Sequence, residues 1–282
     1  MSLAVTGATG NLGGLVIDHL IERGTPADQV VALVRDVAKA ADLVERGVEV
    51  RTFDYDRPAT SALAGVDSLL LVSGTDLGRR QAQHRAVIDA AAAAGVGRVV
   101  YTSAPHAEAS INPVAPDHKA TEEYLAASGL GHVNLRNGWY HENFLGDLAA
   151  ARQTGQVLTA AGHGRVASAS RSDLADAAAV VLAGSETDRT YKLTGDEAWR
   201  FDDLAADLAE VLHREVVAAH VSPAEKSEAL EGMGLDAGLV GFLVGVDEAI
   251  AAGELGDTSG ELAGLIGRPT SPIIDTLRTV QG

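Results

Sequence analysis

The stretch "LAVTGATGNLGGLVIDHLIERG", residues 3–24, decides the fold. It opens with a short apolar run and reaches glycines at Gly7, Gly10 and Gly13. It then continues with Leu12, Leu15, Val16, Leu20 and Ile21 at helical spacing. The reading is a strand ending at Thr6, a glycine turn, and a helix beginning near Asn11. Each glycine serves a different end. Gly7 permits the tight turn, Gly10 lets an anion approach the backbone, and Gly13 lets the helix pack close to the strand. Unpaired amides and the positive end of the helix dipole then favour a pyrophosphate. The stretch therefore predicts a dinucleotide site.

Outward from it the same alternation repeats. Further apolar runs are "VVALVR" (30–35), "VEVRTF" (48–53), "SLLLVSG" (68–74), "RVVYTS" (98–103) and "HVNLRNG" (132–138). They are continuous rather than alternating, as expected for strands covered on both faces. Helical patterns between them imply an α/β, Rossmann-like, doubly wound parallel sheet with right-handed crossovers. After Gly138 the pattern turns irregular. It then gives a helix from near Ser172 or Asp173, a strand at 190–195, an amphipathic helix at 201–214 and a short strand at 216–222. The expected division is a Rossmann domain, 1–136 with about 172–194. A smaller, mainly helical lobe, about 137–171 with 195–282, lies over the sheet's carboxyl edge.

Composition narrows the partners. Against 22 basic side chains stand 39 acidic ones, a formal charge of -17. Such a surface repels nucleic acid and anionic membranes. There is no cysteine, which excludes disulfides, thiolate metal sites and thiol catalysis. The nine histidines show no metal-ligand spacing, so no metal is expected. The first apolar run turns at Gly7, too short for an export segment. "DAAAAAGVG" (89–97) falls far short of the ~20 apolar residues of a membrane span. A cytoplasmic protein is expected. The oligomeric state stays open, with a homodimer admissible.

The second strand selects the cofactor. NAD sites usually end it with an acidic residue that accepts from the adenosine ribose. Here Arg35 stands at that point, and its guanidinium can fork onto the 2′-phosphate of NADP. Such a contact is worth roughly 1.5–3 kcal/mol. Lys39 adds a second charge one turn on. In the alternatives, Arg35 faces solvent or Asp36 contacts the ribose. The ends of the fourth and fifth runs, with Ser73, Gly74, Thr75 and Ser103, are expected to flank the ribose and nicotinamide. The competing reading is that these hydroxyls satisfy loop backbone.

Short-chain reductases protonate their substrate with a Tyr-x-x-x-Lys pair. None of Tyr55, Tyr101, Tyr124, Tyr140 and Tyr191 has lysine four residues later. His118 and Lys119 lie near the expected place, and Ser103 stands without its partners. Hydride reduction of an unactivated ketone needs an acid. Hydride addition to a quinone instead gives a delocalised phenolate that water protonates. The chain is thus read as a hydride donor to electron-poor conjugated acceptors, or as a protein that binds NADP(H) and transfers nothing.

"TGATGNLG" resembles the extended and atypical short-chain dehydrogenases. Together with "VYTSAPHA", "LRNGWYHENF" and "LIGRPT", the chain resembles the NAD(P)H:quinone oxidoreductase type 2 proteins from residue 3 to about 277. These are NmrA-like atypical short-chain dehydrogenases, related to triphenylmethane dye reductases. The resemblance implies NADPH binding by Gly7, Thr9, Gly10, Asn11, Leu12 and Arg35. It also implies binding by the 137–143 loop, with Asn137, Gly138, Trp139, Tyr140 and Asn143, and an acceptor cleft between domain and lobe. No flavin is expected. Within this frame Tyr140 and Trp139 are read as stacking on a flat acceptor or sealing the lobe. His106 is a candidate donor to a quinone oxygen, and Arg171 meets the cofactor phosphates or an acidic neighbour. An NmrA-type redox-sensing regulator is the rival reading.

Overall fold

The computed structural model describes residues 1–280. Its strands are β1 (Leu3–Thr6), β2 (Val30–Val34), β3 (Glu49–Thr52), β4 (Ser68–Leu71), β5 (Arg98–Ser103), β6 (Gly131–Asn137), β7 (Gln156–Thr159), β8 (Arg189–Leu193) and β9 (Val217–His220). Its helices are α1 (Gly13–Glu22), α2 (Ala41–Glu45), α3 (Arg80–Ala94), α4 (Ala115–Ala127), α5 (Leu145–Thr154), α6 (Arg171–Ala183), α7 (Phe201–Leu212), α8 (Pro223–Gly232), α9 (Ala237–Ala251), α10 (Glu261–Ile266) and α11 (Ile273–Arg278).

Seven strands form one sheet in the order β3-β2-β1-β4-β5-β6-β8, with every pairing parallel. β1, β2, β4 and β5 are buried along their whole length, which explains why their sequences run apolar without alternation. Side chains alternate between two cores. Leu3, Val5, Leu70 and Val100 pack with α1 and α6, whereas Ala4, Leu69, Leu71 and Val99 pack with α3 and its neighbours. The strand order reverses between β1 and β4, so a crevice opens there at the carboxyl edge, where open α/β sheets bind their ligands.

One charged residue lies deep in this frame. Arg98, 5% exposed, donates to the carbonyls of Val181, Leu182, Gly184 and Glu186 at 2.7–3.1 Å. It thereby satisfies the last turn of α6, whose carbonyls have no partners within the helix.

The C-terminal lobe has a core of its own, running from Phe144 through Leu148, Val166, Phe201 and Leu208 to Leu277. Phe144, Trp199 and Phe201 meet edge to face, with ring centroids 4.7–6.1 Å apart. Two features differ from the expectation. Gln156–Thr159 is a strand, β7, paired in parallel with β9, where only irregular chain was expected. The four residues of β7 are too few to show a period. In addition, Leu262 and Ile266 of α10 belong to the sheet's core rather than the lobe's. Arg268 of "LIGRPT" holds that segment by pairing with the buried Asp173 of α6 at 2.7 Å.

Candidate active site

The glycine elbow is built as its spacing requires. Gly7 has φ +59°, a left-handed backbone that costs a glycine little. A Cβ on Gly13 would lie 2.4 Å from the Gly7 carbonyl oxygen, so α1 approaches β1 too closely for any side chain. Gly10 would meet only the same oxygen, at 3.1 Å, and otherwise faces open space. Its own N–H closes the turn onto Gly7 at 2.8 Å. Helix α1 starts at Gly13, two residues later than the pattern suggested, and no side chain caps it. Among the described residues the amides of Thr9, Asn11 and Leu12 find no backbone acceptor. The fit to an anion is therefore direct: unmet donors at an uncapped helix start.

At the tip of β2, Arg35 is exposed. The carboxylates around it have other partners. Asp36 accepts from the Ala38 amide at 3.0 Å, and Asp56 pairs with Arg79 at 3.0 Å. This arrangement disfavours Asp36 as a ribose ligand, and Asp56 feels the Arg35 charge as well as that of Arg79. Lys39, also exposed, lies in the short turn that follows.

Nearer the nicotinamide end, Ser73 and Gly74 are half-buried and Thr75 is exposed. The Ser103 hydroxyl turns to α4 and donates to Glu122 at 2.6 Å. Glu122 is in turn bound twice by Arg136, at 3.0 and 2.7 Å, and Arg136 reaches Glu108. Ser103 is thus tied into an ionic network. His118 also points inward, its Nδ1 2.7 Å from the Tyr101 hydroxyl, whereas Lys119 is exposed beside Glu123. Helix α4 therefore offers the crevice neither a tyrosine nor a lysine.

The 137–143 loop is pinned from below. Gly138 donates to the Leu193 carbonyl at 2.6 Å, and a Cβ there would press on Leu193, Ala167 and Thr194 backbone at 3.1–3.3 Å. His141, buried, holds the Ser168 carbonyl through Nε2 at 3.0 Å and faces Thr276 through Nδ1. Burial pushes its pKa down to about 4, so the ring is neutral. Asn137 is 5% exposed, yet neither polar atom of its side chain meets hydrogen-bond geometry with another described group. The amide interacts with the Tyr140 hydroxyl, so it is under-satisfied rather than orphaned and keeps bonding capacity for a ligand. The Tyr140 hydroxyl, next to Asn137, has its pKa raised by burial. Arg171 lies over the Tyr140 ring at 5.0 Å, with Asn143 Oδ1 3.4 Å from its guanidinium.

Beyond β5, β6 and β8 lies a cavity of about 190 Å³. Pro105, His106, Gly138, Trp139 and Leu255 are among its walls, and the 254–259 segment closes it from the lobe. His106, in left-handed backbone, stands 3.3 Å from Asp257. Trp139 lines this cavity and also packs on the lobe core; Tyr140 does not line it. Sequence reasoning missed Arg80, His84, Glu122 and His141. Buried polar residues on helix faces carry no motif, and only the helical phase of Arg80 and His84 (i, i+4) hinted at a shared face.

A crevice of this kind is that of a Rossmann-type protein for a nicotinamide dinucleotide. The chain belongs to the NAD(P)H-binding family, whose profile matches residues 7–184. Over 279 residues it is 45% identical to Quinone oxidoreductase 2 of Escherichia coli strain K12, covering 98% of this chain and 97% of that one. Two solved structures are similar over 99% of both chains. One is the NADPH-dependent quinone oxidoreductase of Escherichia coli complexed with NADPH, at TM-score 0.95 and 43% identity. The other is the Citrobacter sp. triphenylmethane reductase complexed with NADP(H), at TM-score 0.92 and 41% identity. The resemblance drawn from the quoted motifs is borne out.

Proposed function

We propose that this protein is an NADPH-dependent reductase that passes hydride to quinones or similar conjugated, electron-poor acceptors. The observation that carries the reading is the contrast between an anion-ready elbow and a crevice without a tyrosine–lysine acid. In this reading Gly7, Thr9, Gly10, Asn11 and Leu12 hold the pyrophosphate and Arg35 the 2′-phosphate. Ser73, Gly74 and Thr75 follow the ribose, and the Asn137 amide meets the carboxamide. When bound, NADPH supplies the hydride. The chain's part is to orient and to exclude water, with Trp139, Pro105 and Leu255 walling the acceptor cavity. No acid is demanded of it, because the reduced quinone is a weakly basic phenolate. On this reading His106, beside Asp257, is a candidate donor to an acceptor oxygen.

The 1–136 segment with 172–194 would then serve the cofactor, and the remainder would form the acceptor side. The separate lobe core supports this division. Among the described residues no helix is long and apolar enough to cross a membrane. We place the protein in the cytoplasm, which a chain without cysteine suits.

Absorbance at the reduced-nicotinamide band, with p-benzoquinone as acceptor, tests the proposal. Acceptor-dependent loss of NADPH is expected. Tight NADPH binding without consumption would instead establish a sensor that binds the cofactor and reports on it.

A further inference from the structure

Helix α3 carries two buried polar side chains that the cofactor site does not use directly. Arg80 is 7% exposed and His84 is fully buried. Both reach the backbone of one residue, Gly74, on the peptide groups either side of its Cα. Arg80 Nε donates to the Gly74 carbonyl at 2.6 Å, and the Gly74 N–H donates to His84 Nε2 at 3.0 Å.

That second bond sets the tautomer. Nε2 must be the bare nitrogen, so Nδ1 carries the hydrogen and donates to Thr121 Oγ1 at 2.9 Å. The Thr121 hydroxyl passes its own hydrogen to the Asp117 carbonyl at 2.8 Å. Burial, aided by the Arg80 charge, pushes the His84 pKa down to about 3, which keeps the acceptor nitrogen bare. The Asp117 carboxylate stands 3.8 Å from Arg80. The peptides before Gly74 are gripped in the same manner. Ser73 N–H donates to Thr102 Oγ1 at 2.8 Å, and Val72 N–H to Thr6 Oγ1 at 2.9 Å. The Val72 carbonyl accepts from the Tyr55 hydroxyl at 2.7 Å. Three successive residues past β4 are therefore held by side chains from five places in the sequence.

We propose that Arg80 and His84 are positioning residues that lock the two peptide groups flanking Gly74, holding the 73–75 loop in its cofactor-receiving shape before NADPH arrives. This rests on the reading that the loop lines the cofactor. A loop already in place needs no ordering when the ligand binds. A loop that samples other shapes lowers the apparent affinity by the fraction that remains competent.

The test compares two variants of the whole protein. His84→Asn keeps a polar group toward Thr121 but leaves the Gly74 amide without its acceptor. His84→Gln returns an amide oxygen near the place of Nε2. In His84→Asn the Kd and KM for NADPH rise about tenfold, the shift expected from an unmet buried amide. At saturating NADPH, kcat stays within about twofold of wild type. His84→Gln recovers most of the affinity. Arg80→Lys, which keeps a charge beside Asp117 but withdraws the donor from Gly74, follows His84→Asn. Hydrogen–deuterium exchange of the cofactor-free protein speeds up around Gly74 in His84→Asn and not in His84→Gln.

Unchanged NADPH affinity in His84→Asn overturns the proposal. So does a fall in kcat at constant Kd, or an equal loss of affinity and melting temperature in both histidine variants. If wild-type protein fails to bind NADPH, the functional reading falls. If wild type binds and His84→Asn matches it, only the clamp falls.

Discussion

At the β1–β2 end of the crevice the amides of Thr9, Asn11 and Leu12 find no backbone acceptor, and Arg35 is exposed, with Asp56 shared between it and Arg79. At the β5–β6–β8 end most charges are paired with one another. Arg136 holds Glu122 and Glu108, Ser103 is bound to Glu122, and His106 faces Asp257. One end is left short of acceptors, which suits phosphates that bring their own. The other has most of its charges paired within the protein, which suits a neutral ring presented to a neutral acceptor. On the proposed reading binding energy is concentrated at the first end and orientation at the second, so the two ends are expected to respond to substitution in different ways.

The strongest way to break that comparison is at the elbow. A side chain on Gly10 meets little of the fold but, on the proposed reading, fills the space of the pyrophosphate. Gly10→Val is expected to weaken NADPH binding by more than about a hundredfold, about 2.7 kcal/mol or more. Calorimetry measures this, with circular dichroism unchanged. Retained binding would remove the elbow from the site. Next comes Arg35→Ala, expected to cost NADPH about ten- to hundredfold in affinity while NADH changes little. The difference should shrink in high salt, since Arg35 is exposed. Equal losses for both cofactors would mean that Arg35 does not read the 2′-phosphate.

The open end was legible in the sequence, and the paired end was not. Glycine at positions 7 and 13 is forced by backbone geometry, one by a positive φ and one by a 2.4 Å approach, so the spacing itself carries the information. Arg35 is legible because strand β2 ends beside the crevice in any fold of this type. The network at the other end joins residues 19 and 14 positions from Glu122, through Ser103 and Arg136. It depends on how α4 is rotated against the sheet, and no local pattern records a rotation. Ser103 looked like a cofactor ligand because it ends β5; its hydroxyl faces α4 instead. β7 was missed for a related reason. Its partner β9 lies some sixty residues on, and four residues flanked by glycine show no period.

The elements packed behind the crevice also carry a pH cost. Burial drives His84 and His118 down to about 3 and His141 to about 4. Below the unfolded value of about 6.5 the unfolded chain binds protons that the folded one refuses. Stability is therefore full above that pH and declines as pH falls toward the folded values. Asp147 acts oppositely, because burial pushes its pKa up to about 7 and the folded chain keeps its proton. Each histidine contributes ~1.4 kcal/mol per pH unit between about pH 6 and 4. His84→Gln should flatten urea-denaturation stability by that one-proton slope. An unchanged slope would mean that His84 is not held neutral in the folded state.

The smallest expected effect sharpens the comparison most, because it asks whether the satisfied end hides an acid. Tyr140 is the candidate: its hydroxyl lies beside Asn137, and Arg171 covers one face of its ring. Burial raises its pKa, and no lysine follows four residues on to bring it down. A general acid in this position would contribute about 10²–10⁴-fold, and its loss would also remove a limb of the pH–rate profile. With p-benzoquinone, Tyr140→Phe is expected to keep kcat within about threefold and leave that profile unchanged, since a quinone accepts hydride without a protein proton. A hundredfold fall with a lost limb would place proton transfer at Tyr140. The cleft would then be an acid–base site after all, open to simple ketones that the present reading excludes.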